Sequence, residues 1–476
     1  MSQDPRAGDE SWEALLRSML GPQAAEDAMA AMRAAGLDPE TMANAAGLPQ
    51  DRNQLAMMLS QMQHILAAGG TDPVNWALAG DVATQVVRQH GDVTVTAAQA
   101  AEVTDALRVA DLWLDTVTEL GPSGGTTRAW SRSDWARETL PTWRKLAEPI
   151  ATSVARALER VLEEQTRELG DHPLAAGLGA GAGGGMIRQL GGAVFGMQVG
   201  QAVGTLAGEA FGASDTGLPL VEGPDAALVP ANVAAFTEGL DAPAEEVRLF
   251  LAVREVAHAR LFAHVPWLRS HLLGTVEAYA REISIDTGAI EEAVRSIDPS
   301  DPDALREAFS GGVFALEQSE AQRAALVRLE TALALVEGWV EVVTGLAVAP
   351  HLPHAVPLRE MVRRRRAAGG PAEQTFASLV GLELRPRRLR EAAALWTHLA
   401  EQRGTEARDA LWSHPDLMPT AEELDDPQGF VAARDAAASA EGDVDAALAS
   451  IFAEAEQEAP GGEEPAADDD GEGEPR

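Results

Sequence analysis

Apolar residues recur every three or four positions along most of this chain, and the period-two alternation of half-buried strands is confined to short runs. Helices are predicted over residues 81–87 and 97–115, and from Pro149, as a first helical residue, to Leu169. A further helix begins near Glu245 and is broken at Pro266, where a second takes over. The capping box Ser319-Glu320-Ala321-Gln322 opens a long helix through Leu346 that carries Glu330, Glu337 and Trp339, and residues 351–357 read as a loop after it. Asp301-Pro302 and Gly311-Gly312 read as loops, and the turn Trp412–Leu417 closes the fold. Two apolar runs in a turn-rich stretch, Leu218–Val221 and Ala227–Val229, form the one candidate strand pair. The expected fold is mainly α and multi-helical, with at most a small β-hairpin; aromatic residues at 4% disfavour an all-β fold.

Composition divides the 476 residues into a helical region over 1–170, a domain over 171–430 and an acidic tail over 431–476 too polar to fold. The first ten residues are expected to be disordered. In the first region, Met58, Met62 and Leu66, with Met57 beside them, make an apolar helical stripe, and Trp113, Trp130, Trp135 and Trp143 read as core anchors. Gly179 to Gly184 matches G-x-G-x-x-G, but no strand of branched residues precedes it, so the match is compositional. Beyond it, glycines stand at 192, 196, 200, 204, 208 and 212. Each step of four turns about 40° around a helix, leaving a gently spiralling bare groove that another backbone can approach. At about 1 kcal/mol lost per glycine relative to alanine, such a helix forms only when packed. Arg188, Gln189, Gln198, Gln201 and Glu209 weaken a membrane reading of it.

A formal charge of -37 argues against nucleic acid as a general partner. The arginine run at 363–366, resuming at 385–390, is therefore expected to pair internally with Asp and Glu. With no cysteine, thiolate metal sites, disulfides and thiol catalysis are excluded. The acidic N-terminus does not read as a signal sequence, and no clear membrane span is seen, so a cytoplasmic location is expected.

The chemistry concentrates in residues 251–286. Glu255 and His258 lie three apart and Arg254 four before His258, so on a helix all three share a face. Three of the ten histidines, His258, His264 and His271, fall within this stretch. The spacing is that of H-E-x-x-H, where two histidines hold zinc and the glutamate polarises a water. Here Arg254 stands in the first ligand's place, and a guanidinium has no lone pair to offer a metal.

The runs REVAHARLFAHVPWL, LVEGWV, RRRRAAGGPAEQTFASLVGLELRPRRLREAAALW and LWSHPDLMP resemble the bacterial zincin-like metallopeptidases of type 2, a family of hydrolases, over roughly residues 177–430. The resemblance implies a helical zincin-like domain, with Glu255 in the general-base place, His258 in the second zinc-ligand place and Arg254 where the first ligand belongs. Glu277, on the next helix, resembles the glutamate ligand that other zincins take from that element. His264 lies six after His258, the interval of a third histidine ligand, with Leu261 where a turning glycine would stand. As ordinary residues, His264 and His271 would instead make interhelix hydrogen bonds. Two functions stay open. One is a zinc-dependent hydrolase of peptide bonds, with Glu255 taking a proton from water. The other is a non-catalytic relative in which Arg254 replaces the metal and pairs with Glu255 or Glu277, leaving a scaffold or a cleft for a peptide or protein.

Overall fold

A computed structural model describes residues 72–169, 182–282, 319–367 and 388–440. The opening ten residues, the stripe at Met57, Met58, Met62 and Leu66, the first half of the G-x-G-x-x-G run, the loops at Asp301 and Gly311, Arg385 and Arg387, and the acid-rich end lie outside the described residues. In chain order the elements are α1 (Trp76–Gln89), α2 (Ala97–Leu114), β1 (Thr127–Ala129), α3 (Arg132–Leu169), α4 (Ala182–Ala207), β2 (Ala226–Leu228), α5 (Pro230–Thr237), α6 (Ala244–His264), α7 (Pro266–Arg281), α8 (Glu320–Val348), α9 (Ala355–Ala367) and α10 (Leu389–Ala410), then three short 3-10 turns between Leu411 and Asp425. Residues 430–440 are also helical. The fold is mainly α, as expected, with one two-stranded sheet among the described residues. The chain forms two compact units, one of residues 1–83 and 154–201, the other of residues 84–153 and 202–476.

In the first unit the glycine spacing acts as a packing surface. The Asn75 N–H donates to the Gly192 carbonyl at 2.8 Å. A Cβ at Gly192, Gly196 or Gly200 would lie 2.6, 2.5 and 2.5 Å from the carbonyl oxygens of Asp72, Asn75 and Ala79 respectively. Any side chain there would force the two backbones apart. α4 ends at Ala207, so Gly208 and Gly212 belong to the loop beyond it.

In the second unit α8 is central: it is buried on every side from Thr331 to Glu341, with α6, α7 and α10 packed against it. Ser319 and Gln322 make the expected capping box. α8 is the one described helix long and apolar enough to cross a membrane, and its apolar window is largely buried inside the protein. α6 is likewise buried on all faces from Phe250 to Leu261, so its sequence has no polar stripe to mark an outer side. Pro266 ends α6 and supplies the first residue of α7.

Three expectations need correction. α3 begins at Arg132 rather than Pro149 and contains both Pro141 and Pro149. Trp135, Ala136, Trp143, Leu146, Ala147 and Ile150 are all buried, and a stripe of that size outweighs the lost proline hydrogen bonds. The sheet is not a hairpin of Leu218–Val221 with Ala227–Val229. β2 pairs in parallel with β1, Thr127 opposite Ala226 and Ala129 opposite Leu228, a pairing that needs a long crossover and leaves no local turn signal. Leu218 and Leu220 are buried within a loop instead. Finally, the stretch at 351–357 is a loop only as far as His354, after which α9 begins. There His351 stacks on Trp113 with centroids 4.3 Å apart, and His354 meets Glu246 at 3.1 Å.

Candidate functional site

α6 carries the R-E-x-x-H residues, and all three are buried, with Arg254 7%, Glu255 3% and His258 1% exposed. They do not share one partner. The Glu255 carboxylate accepts hydrogen bonds from the backbone N–H groups of Ala213 and Ser214, both at 3.1 Å, and of Ala227 at 3.3 Å. It thereby ties α6 to the loop after α4 and to β2. Gly212 allows this approach: a Cβ there would lie 2.5 Å from the Ala227 carbonyl oxygen and 2.6 Å from Glu255 Oε2. The Trp135 indole N–H donates to the Gly212 carbonyl at 2.9 Å, so one of the tryptophans read only as a core anchor also fixes this loop.

Arg254 and His258 point to Glu337 of α8. Arg254 donates to Glu337 Oε2 at 2.8 Å, and His258 Nε2 lies 3.0 Å from Oε1. Arg366, at the end of α9, also reaches Oε1 at 2.8 Å. His258 Nδ1 faces the Arg254 carbonyl at 2.9 Å, so each ring nitrogen lies beside an oxygen acceptor. Gly217, at φ +77°, is the close neighbour on this side: a Cβ would sit 2.6 Å from Glu337 Oε1.

The other arginines of the 363–366 stretch pair internally, as the net charge led us to expect. Arg363 binds Glu341, and Arg364 binds Glu360 at 3.0 Å. Arg365 meets Asp215 at 3.2 Å while covering the Phe211 ring at 3.9 Å, and Arg366 also donates to the Asp215 carbonyl.

Electrostatics separate the two buried glutamates. Burial alone would raise the Glu337 carboxyl, but the charges of Arg366, His258 and Arg254 hold it well below the usual carboxylate range. Burial pushes Glu255 up to about 8, against the opposing effect of its N–H donors and with the Asp215 charge adding to the rise. The consequences for stability have opposite signs. Glu337, depressed in the folded state, contributes stability that is present above its ordinary value of 4.5 and lost as pH falls. Glu255, raised in the folded state, costs stability that grows as pH climbs from 4.5 to about 8. In urea titrations from pH 5 to 8 the parent should therefore lose roughly 3–4 kcal/mol relative to Glu255→Gln, at about 1.4 kcal/mol per pH unit. Parallel profiles would show that Glu255 does not titrate in this range.

The remaining sequence candidates lie elsewhere. His264 Nε2 is 3.0 Å from the Gly121 carbonyl oxygen, and Glu277 pairs with Arg281 one turn away on an exposed face of α7. Arg254 pairs with neither Glu255 nor Glu277 but with Glu337, because α8 rather than α7 packs its carboxylate against the Arg254–His258 face. His271 lies edge-on to Trp267 at 5.8 Å.

A catalytic zinc needs three protein ligands and an open position. Among the described residues no three His, Asp or Glu side chains converge in that way. The donors near His258 do not fit the ion: Glu337 already receives two guanidiniums, and Glu255 is engaged by three N–H groups. As it stands, the arrangement neutralises a buried carboxylate with fixed cations.

Three comparisons bear on identity. No curated protein matches the chain. A solved structure from Chloroflexus aurantiacus, described as a "putative hydrolase with a novel fold", aligns with a TM-score of 0.52 at 18% identity, covering 76% of this chain and 99% of that one. The family model for zincin-like metallopeptidase matches residues 74–431, taking in α1 to α3 as well as the segments that carried the resemblance. The chain therefore belongs to the zincin-like metallopeptidase family.

Proposed function

We propose that this chain is a non-catalytic member of its family, a zincin-fold binding or scaffold protein in which Arg254 and Arg366 supply the positive charge that a metal would otherwise bring. The observation that carries this reading is the Glu337 carboxylate, 1% exposed, with Arg254, Arg366 and His258 all within 3.0 Å. A buried carboxylate needs such cations, and removing a partner from a buried pair costs about 3–5 kcal/mol. Glu255, the general base of an active relative, is instead a structural acceptor joining three segments. The ligand in view is a peptide or protein segment, and nucleic acid is disfavoured by the charge of -37.

The second reading, a hydrolase acting on peptide bonds, is favoured by family membership and by the fold shared with the Chloroflexus protein. An assay on mixed peptide libraries with zinc supplied separates the two. We expect no cleavage above the blank, and the same result for Glu255→Gln. Cleavage by the parent that disappears in Glu255→Gln would establish the hydrolase.

A further inference from the structure

Beside the buried cluster, a cavity of about 270 Å³ opens between the loop from Ser214 to Asp225 and the next turn of α6, with Ala259, Phe262 and Ala263 on its helical wall. Three charged residues line it: Glu222, Asp225 and Arg269. Both acids are matched from outside the lining, Glu222 by Lys145 at 2.5 Å and Asp225 by Arg128 at 3.9 Å. Arg269 is different. Its guanidinium donates to the Val221 carbonyl and, at 3.0 Å, to the Thr142 hydroxyl, both neutral acceptors, and no described carboxylate pairs with it. Burial pushes its pKa down, with the more distant Glu222 charge opposing the change. The lining is thus mixed: beside the two externally paired acids it holds one cation with no carboxylate in hydrogen-bond contact, the apolar side chains of Pro219, Val221 and Phe262, and the serines Ser123 and Ser214.

We propose that this cleft binds a free carboxylate carried on a compact apolar group, the chemistry of a peptide's C-terminal residue or of a small branched carboxylic acid. The carboxylate would meet Arg269, whose planar fork suits it, and the apolar body would lie against Phe262, Ala259 and Ala263. A volume of about 270 Å³ is near the lower bound of roughly 300 Å³ for ligand pockets, which suits one residue rather than an extended chain. The site deepens the binding reading above by naming a ligand class, but it does not depend on whether the buried cluster can take a metal.

The test uses the full chain and three probes: acetyl-Ala-Leu as the free acid, the same peptide as its amide, and 4-methylpentanoate. Calorimetry should show the acid binding at least tenfold tighter than the amide, with Arg269→Gln abolishing that preference. Because Arg269 also braces Val221 and Thr142, Ala263→Leu provides an independent check: it fills the cleft, should keep the parent's melting temperature and should lose binding of the acid. If 4-methylpentanoate binds as tightly as the peptide acid, the source is a free carboxylic acid; if it is weaker, the source is a peptide terminus; either supports carboxylate recognition. Equal affinity for acid and amide, no binding of any probe, retained preference in Arg269→Gln or full binding by Ala263→Leu would overturn the proposal. A cleavage result in the library assay would remove the non-catalytic reading and leave this one standing.

Discussion

Replacing Glu337 with alanine is expected to lower stability by about 4 kcal/mol, near the upper end for a single side chain. The reason is not the lost attraction alone. Arg254 and His258 are almost fully buried and Arg366 largely so, and all three donate to the two oxygens of this one side chain. Without it Arg254 and His258 lose their carboxylate partner, and Arg254 and Arg366 keep only the more distant Asp215 charge. Glu337→Gln should be nearly as damaging, because an amide keeps the shape but cannot balance guanidinium charge. The shift is read from the urea midpoint at constant slope. Glu360→Gln, which removes an exposed partner of Arg364, is the control and should leave the midpoint unchanged. A Glu337→Ala protein within about 1 kcal/mol of the parent would mean that the cluster does not hold the core together.

Gly212→Ala is expected to cost about 3 kcal/mol, the upper range for overpacking. The added Cβ would lie 2.5 Å from a backbone carbonyl and 2.6 Å from Glu255 Oε2, and neither can retreat easily. The carbonyl belongs to β2, and the carboxylate is held by three N–H groups. The same substitution at Gly191, where nothing lies within 4 Å, should be neutral or stabilise by up to about 1 kcal/mol through helix propensity. Melting curves of the two variants make the comparison. A Gly212→Ala protein as stable as Gly191→Ala would show that Glu255 is not pinned at this position.

The contrast between these glycines shows what was legible in the chain itself. A period of four announced close packing, and it holds at Gly192, Gly196 and Gly200. It gave no sign that Gly212, the last of the series, serves a different purpose beyond the end of α4. Likewise the helical spacing of Arg254, Glu255 and His258 placed them together on one buried helix, and the excess of acid foretold the pairing of Arg363 to Arg366. The meeting point of Arg254 and His258 was hidden because Glu337 is 79 positions from His258 along the chain, inside an apolar helix whose periodicity says only that it is buried. Glu277 and His264 were nearer in sequence and chemically suitable, yet helix direction sends one to the exposed face of α7 and the other to the Gly121 carbonyl. The parallel pairing of β1 with β2 was invisible for the same reason, since no short-range signal marks a crossover of that length.

The central claim, that guanidinium groups occupy the place of a metal beside His258, is tested most directly by measuring zinc per chain after dialysis against micromolar zinc and removal of the free ion. Well under one equivalent is expected, unchanged in His258→Ala. One tightly held zinc per chain, lost in His258→Ala, would contradict it.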